Sequence, residues 1–156
     1  MEVYNEEGKR IGFIKDLLVK LDEGKVLGFV LTSYNLFKGC SHVLKKDIIS
    51  FQESMKVKKE YRGEETNFNN IRSKYVIDET GNILGFIEDI IFTEDFIING
   101  VVISTGYISN FLYGKKIVLP KDLKVLEDKI VYKNRKSKIK FTNLPNDIVK
   151  EEKIHG

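Results

Sequence analysis

The chain has 156 residues, room for one medium domain or two very small ones. Its 26 basic and 23 acidic side chains leave +3, too little for a surface wholly given over to nucleic acid, and 42% hydrophobic with 31% charged residues excludes a disordered chain. No apolar run reaches the ~18 residues of a membrane helix, no signal-like segment opens the chain, and the lone Cys40 excludes an internal disulfide framework; no membrane insertion and a reducing cytoplasm are expected.

In chain order, the first feature is a block that returns later. Gly8-Lys9-Arg10-Ile11-Gly12-Phe13-Ile14-Lys15-Asp16-Leu17 reappears as Gly81-Asn82-Ile83-Leu84-Gly85-Phe86-Ile87-Glu88-Asp89-Ile90, at an offset of 73. Gly28-Phe29-Val30-Leu31 matches Gly100-Val101-Val102-Ile103 at offset 72, and Gly39, Val43, Leu44 and Asp47 match Gly114, Val118, Leu119 and Asp122 at offset 75. Three blocks in one order make two copies of one unit, with small length changes in the loops between. The expected domains are residues 1–60, a polar and turn-rich linker at 61–70, a second unit at 71–140 and a tail at 141–156. Met1 stands opposite Lys74, so the first unit's opening strand is expected to be incomplete, either short or cut from a longer chain.

In the second copy Lys74–Asp78 reads as a strand, and Glu79-Thr80-Gly81-Asn82 as a turn. Leu84–Phe92 is a β-branched and aromatic run broken at Thr93-Glu94-Asp95, and Phe96–Thr105 is a further strand with a turn or bulge at Asn99-Gly100. Lys116–Pro120 and Lys129–Tyr132 complete the set. Strands without helical periodicity between them indicate an all-β antiparallel sandwich or barrel, and closure suits a unit this small because it removes exposed edges. In the tail, Asn143–Asp147 is a candidate start for one short C-terminal helix over Ile148–Glu151.

The order Val3, Gly8, Ile11-Gly12-Phe13-Ile14, Asp16, Gly28-Phe29-Val30, Val43-Leu44, Asp47-Ile48 resembles the signature of the PRC-barrel family. The second copy repeats it as Val76, Gly81, Leu84-Gly85-Phe86-Ile87, Asp89, Gly100-Val101-Val102, Val118-Leu119-Pro120, Asp122-Leu123, with Lys45 in the first copy where Pro120 stands. The resemblance implies two tandem small β-barrels of about six strands each. It also implies a protein-interaction or adaptor role, or, by similarity to ribosome-maturation factors, an RNA- or ribosome-associated one.

Features shared by the copies are expected to serve the fold, and one-sided features to serve function. Gly12 and Gly85 interrupt strands, as glycine does at a bulge or close backbone approach; no Gly-Lys-Ser/Thr follows to make a phosphate loop. Asp16 and Asp89 are expected to accept backbone N–H bonds at a bend in the wall. Cys40-Ser41-His42 occurs only in the first copy; with His155 the only other histidine no four-ligand zinc site is expected, and strand residues i and i+2 share a face without the in-line geometry a Cys–His nucleophile pair needs. The expectation is no enzyme, no catalytic residue, no metal and no cofactor.

Charge is the second one-sided feature. Residues 71–114 carry two basic and six acidic side chains, net −4, whereas 115–140 carry ten basic and three acidic ones, net +7. Such a charge dipole suits an acidic partner or head-to-tail self-association. The residues expected to meet a partner are the basic Lys115, Lys116, Arg135, Lys136 and Lys138 and the loop aromatics Tyr34, Phe37, Phe111 and Tyr113. The same loops, Tyr107 included, are alternatively expected to fold back and plug the barrel ends. A protein partner is expected, with a second copy of the chain and RNA as the other candidates.

Overall fold

The computed structural model describes residues 1–35, 37–106 and 115–133, with the backbone of 140–142. They form two compact units: Met1–Lys20 with Lys25–Asn70, and Leu21–Gly24 with the chain from Ile71 onward. Residues 61–70 fall within the first unit. The 3-10 turn Leu21–Glu23, from the first copy in sequence, packs within the second unit, where the Ile98 N–H donates to the Gly24 carbonyl at 2.8 Å.

The first unit holds β1 (Glu2–Tyr4), β2 (Arg10–Lys20), β3 (Lys25–Thr32), β4 (Cys40–Leu44), β5 (Ile48–Phe51) and β6 (Met55–Val57), hydrogen-bonded in the order β4-β3-β2-β1-β6-β5. In chain order β6 is followed by one short helix, α1 (Phe68–Arg72). The second unit holds β7 (Tyr75–Ile77), β8 (Ile83–Phe92), β9 (Ile98–Ser104), β10 (Lys115–Val118), β11 (Leu123–Val125), β12 (Lys129–Tyr132) and β13 (Lys140–Thr142), in the order β11-β12-β7-β8-β9-β10-β13. Apart from β13 the two orders are the same. Each unit also contains a parallel pair, β1 with β6 and β7 with β12, where a wholly antiparallel fold was expected.

Among the described residues no ladder joins β4 to β5 or β10 to β11, so neither sheet is a hydrogen-bonded closed barrel. Both sheets nevertheless curl. Laid flat, five strand spacings would put β4 and β5 about 24 Å apart, whereas the four Cα steps across the 3-10 turn Lys45–Asp47 reach at most about 15 Å. The 3-10 turn Pro120–Asp122 links β10 to β11 in the same way.

Three bulges shared by the two units supply bending, and the first unit has a fourth at Ile49. The pairing passes over Ile11 and Leu84, then Lys15 and Glu88, then Leu27 and Asn99, at matching places in the two copies. The bulge anticipated at Asn99-Gly100 is the last of these. Edges are covered as well: His42 and Tyr61 exchange backbone hydrogen bonds of 2.7 and 2.9 Å on the outer side of β4, and β13 pairs along β10.

Val3, Leu31, Val43, Met55 and Val57 are buried in the first unit, and Val76, Ile87, Ile103 and Ile130 in the second. Each such side chain contributes roughly 1.5–3 kcal/mol. β1 and β7 are both three residues long, so the first unit's opening strand matches its counterpart and is not the shorter of the two. The segment read as a linker is structured at its end. The Asn70 N–H donates to Asn67 Oδ1 at 2.9 Å, capping α1, whose Phe68 and Ile71 are buried three residues apart on one face. The candidate C-terminal helix, with its Asn143–Asp147 start, lies outside the described residues.

Candidate functional site

The repeated residues hold the sheet together. Gly12 pairs with Val3 and Gly85 with Val76, and a Cβ on either would overlap a carbonyl across the strand, that of Thr32 or of Ser104. Asp16 follows the Lys15 bulge and accepts the Leu17 N–H at 2.8 Å and the Asn69 N–H at 3.0 Å. Asp89 follows the Glu88 bulge and accepts the Ile90 N–H at 2.8 Å. A further repeated pair, Asp47 and Asp122, is buried at the 3-10 turns. Its signal was present in the third matched block, where both aspartates align at offset 75.

The one-sided residues gather at the open side of the first unit. On β4, Cys40 Sγ lies 3.7 Å from Lys15 Nζ, Ser41 Oγ donates to Glu60 Oε2 at 2.7 Å, and His42 Nδ1 lies 3.0 Å from Glu65 Oε2. The His42 ring meets Tyr61 edge-on at 5.6 Å. A backbone N–H, with Tyr61 and His42, holds the Glu65 carboxyl below its ordinary range, while burial and the Glu65 charge push the Tyr61 phenol up to about 12. These contacts fasten residues 60–65 onto β4. Cys40, Ser41 and His42 thus face three different partners, and among the described residues no group of three or more His, Cys, Asp or Glu side chains is placed to hold a metal ion.

Beside this edge stands an aromatic rim. Arg10 lies 4.2 Å over the Tyr34 ring and pairs with Glu2 at 2.8 Å, and Tyr34 packs against Phe13 at 5.7 Å. Hydrogen bonds from Tyr4 and Tyr34, with the Arg10 charge, hold the Glu2 carboxyl below its usual range. Phe13 and Tyr34 are 40% and 46% exposed and Phe37 is 98% exposed. The first-unit loop therefore does not plug the barrel end as one expectation had it. Tyr34 is drawn outward by its stacking on Arg10 and its bond to Glu2. In the second unit the Tyr75 and Phe86 rings pack at a tilt, 4.6 Å apart, and are comparably exposed.

Of the basic residues expected to meet a partner, Lys115 is bound to Glu88 at 2.7 Å and Lys116 lines a cleft. Tyr107, Phe111, Tyr113, Arg135, Lys136 and Lys138 lie outside the described residues.

Two clefts occupy equivalent positions, between the β1–β2 turn and β4 and between the β7–β8 turn and β10. The first, about 550 Å³, is lined by Lys9, Arg10, Lys38 and Arg62 with one acid, Glu60. Among the described residues the second, about 300 Å³, is lined by Asp78 and Glu79 with one base, Lys116. No short motif announces the first cleft, because its cations come from three separated loops; only the duplication, which pairs Asn5 with Asp78, offered a signal. Asp78 accepts from Thr80 Oγ1 at 2.6 Å and from the Thr80 and Asn82 N–H groups at 2.9 Å, which hold its carboxyl down at about 2. Its folded value lies below its unfolded one, so the linked stabilisation is full above pH ~4 and is lost as pH falls through ~2. Thr80→Val with Asn82→Ala is expected to return Asp78 toward its ordinary 3.8, as read by carboxyl-carbon NMR titration; an unchanged midpoint would refute the role of these bonds.

Among the described residues no helix is long and apolar enough to cross a membrane. No curated protein is similar enough in sequence to register as a match. The PRC-barrel domain profile matches residues 1–61 and again 63–139, the two segments that fold into the two equivalent sheets. Two successive matches of that one profile cover most of its length, so the chain belongs to the PRC-barrel domain family and carries two such domains in tandem.

Proposed function

We propose that the chain is a protein-docking module without enzymatic activity, working in a bacterial cytoplasm, and that its contact face is the aromatic rim of the first unit. The observation that carries this reading is the group Phe13, Tyr34 and Phe37, held at the surface with Phe37 almost wholly in solvent. Large aromatic groups displayed this way mark interaction sites and dominate contact energies when a partner covers them. The exposed free thiol of Cys40 suits a reducing compartment.

Affinity capture of the tagged chain from its own cells tests the proposal. A stoichiometric protein partner is expected, retained roughly 30-fold less well by Tyr34→Ala/Phe37→Ala, the loss of about 2 kcal/mol usual for a central aromatic contact. Both side chains are exposed, so the melting temperature should stay within about 2 °C of wild type. Absence of any such protein, equal retention by the double variant, or co-sedimentation with ribosomes instead would each overturn the reading.

A further inference from the structure

We propose that copies of this chain associate head to tail, the acidic turn Asp78–Asn82 of one copy entering the basic first-unit cleft of the next. Duplication supplies the internal comparison. The two clefts are built by equivalent strands and turns, so the scaffold by itself would give them similar linings. Among the described residues, the first lining holds four cations and one carboxylate, and the second holds two carboxylates, both on the Asp78–Asn82 turn, and one cation. Surfaces of opposite charge on one chain are complementary between copies.

The chain has two acidic turns, and their surroundings distinguish them. Glu6 and Glu7 are followed, after Gly8, by Lys9 and Arg10, so residues 6–10 carry no net charge. Asp78 and Glu79 are followed by Asn82 and Ile83, so this turn keeps −2. It is also rigid. Asp78 accepts from Thr80 and Asn82 through both side chain and backbone, and the Gly81 N–H closes the turn onto the Asp78 carbonyl at 3.1 Å. Glu79 and Thr80 are exposed at its tip. A preorganised turn loses little freedom on binding. The receiving cleft, about 550 Å³ with exposed Lys9, Lys38 and Arg62, is open to a turn of this size.

Turn and cleft are different surfaces, so every contact leaves one of each unused at the ends of the assembly. Such heterologous contacts add copies until a ring closes or a filament grows. One turn in one cleft makes a small interface, so association is weak, micromolar to millimolar, and sensitive to salt.

Sedimentation velocity of the full chain is the test. The weight-average mass is expected to rise past two chains as concentration increases, and to fall back when sodium chloride is raised from about 0.05 M to about 0.5 M. Lys9→Glu/Lys38→Glu and Asp78→Asn/Glu79→Lys should each abolish growth. Asp78→Asn installs the residue that stands at position 5 of the equivalent turn, so the turn should persist. Mixed, the two variants should give a 1:1 dimer that grows no further, because each brings one intact surface. A wild-type chain that stays monomeric throughout would overturn the proposal. So would self-association that survives both variants, that is lost instead with Glu6→Lys/Glu7→Lys, or a mixture that forms no dimer although both variants melt like wild type. None of these variants alters Phe13, Tyr34 or Phe37, so failure here leaves the aromatic docking face standing, and failure there leaves this proposal standing.

Discussion

Gly12→Ala and Gly85→Ala are each expected to destabilise the chain by about 3 kcal/mol or more, lowering the melting temperature of the affected unit by about 12 °C or more. The cause is steric and backbone-bound. At each position a Cβ would be driven into a carbonyl on the neighbouring strand, Thr32 in one unit and Ser104 in the other, with the next Cα, Ser33 or Thr105, close behind. Those carbonyls belong to the chain path itself, so no rotamer change relieves the overlap, and only separating the paired strands makes room. Gly85 carries a second penalty, its φ of 136° being a conformation that side-chain-bearing residues rarely adopt. Gly85→Ala should therefore be the more damaging of the two. Gly8→Ala is the control: its φ is also positive, at 77°, but nothing lies within 4 Å of the added carbon, so the cost should be about 1 kcal/mol. Urea midpoints of the three variants check the ranking. A loss at Gly12 no larger than at Gly8 would rule out the close approach as the reason glycine occupies these places.

Phe68→Ala and Ile71→Ala are expected to cost about 3–5 and 2–5 kcal/mol respectively. From composition alone the segment around them reads as a polar connection, which would tolerate both changes. In the structure Phe68 is 7% and Ile71 1% exposed, and truncation removes apolar contact and leaves a cavity. Five residues cannot sustain a helix by propensity, so α1 exists because those two side chains are buried and because Asn67 caps its start. Asn69→Ala, at an exposed position of the same helix, should change stability by less than about 0.5 kcal/mol. Truncations of Phe68 and Ile71 as mild as that of Asn69 would return the segment to the status of a linker.

The duplication was legible because each matched block is a site where backbone geometry dictates the residue. Gly12 and Gly85 have no room for a side chain, Asp16 and Asp89 bind the backbone beside a bulge, and Asp47 and Asp122 are buried at the corner that turns the sheet onto its last strands. The long strands β2 and β8 were legible from their β-branched and aromatic runs. β5 and β11 were not, at four and three residues, because so short a stretch holds too little alternation to separate strand from loop. The parallel pairing of β1 with β6 and β7 with β12 was equally hidden, since it joins residues about fifty apart and local sequence carries no mark of so distant a neighbour.

By itself the sequence determined that the chain encodes one small β unit twice and which glycines and aspartates hold it, because local sterics and hydrogen-bonding chemistry write those positions into both copies. Only the tertiary structure decided that the sheets curl without a closing ladder, that Leu21–Gly24 packs in the second unit, and that Tyr34 and Phe37 face outward. It alone also brought Lys9, Lys38 and Arg62 around one cleft while placing Asp78 and Glu79 at its counterpart. Charges scattered over fifty residues acquire a common field only when folding sets them side by side, and that proximity, not the residues' identity, makes the first cleft basic.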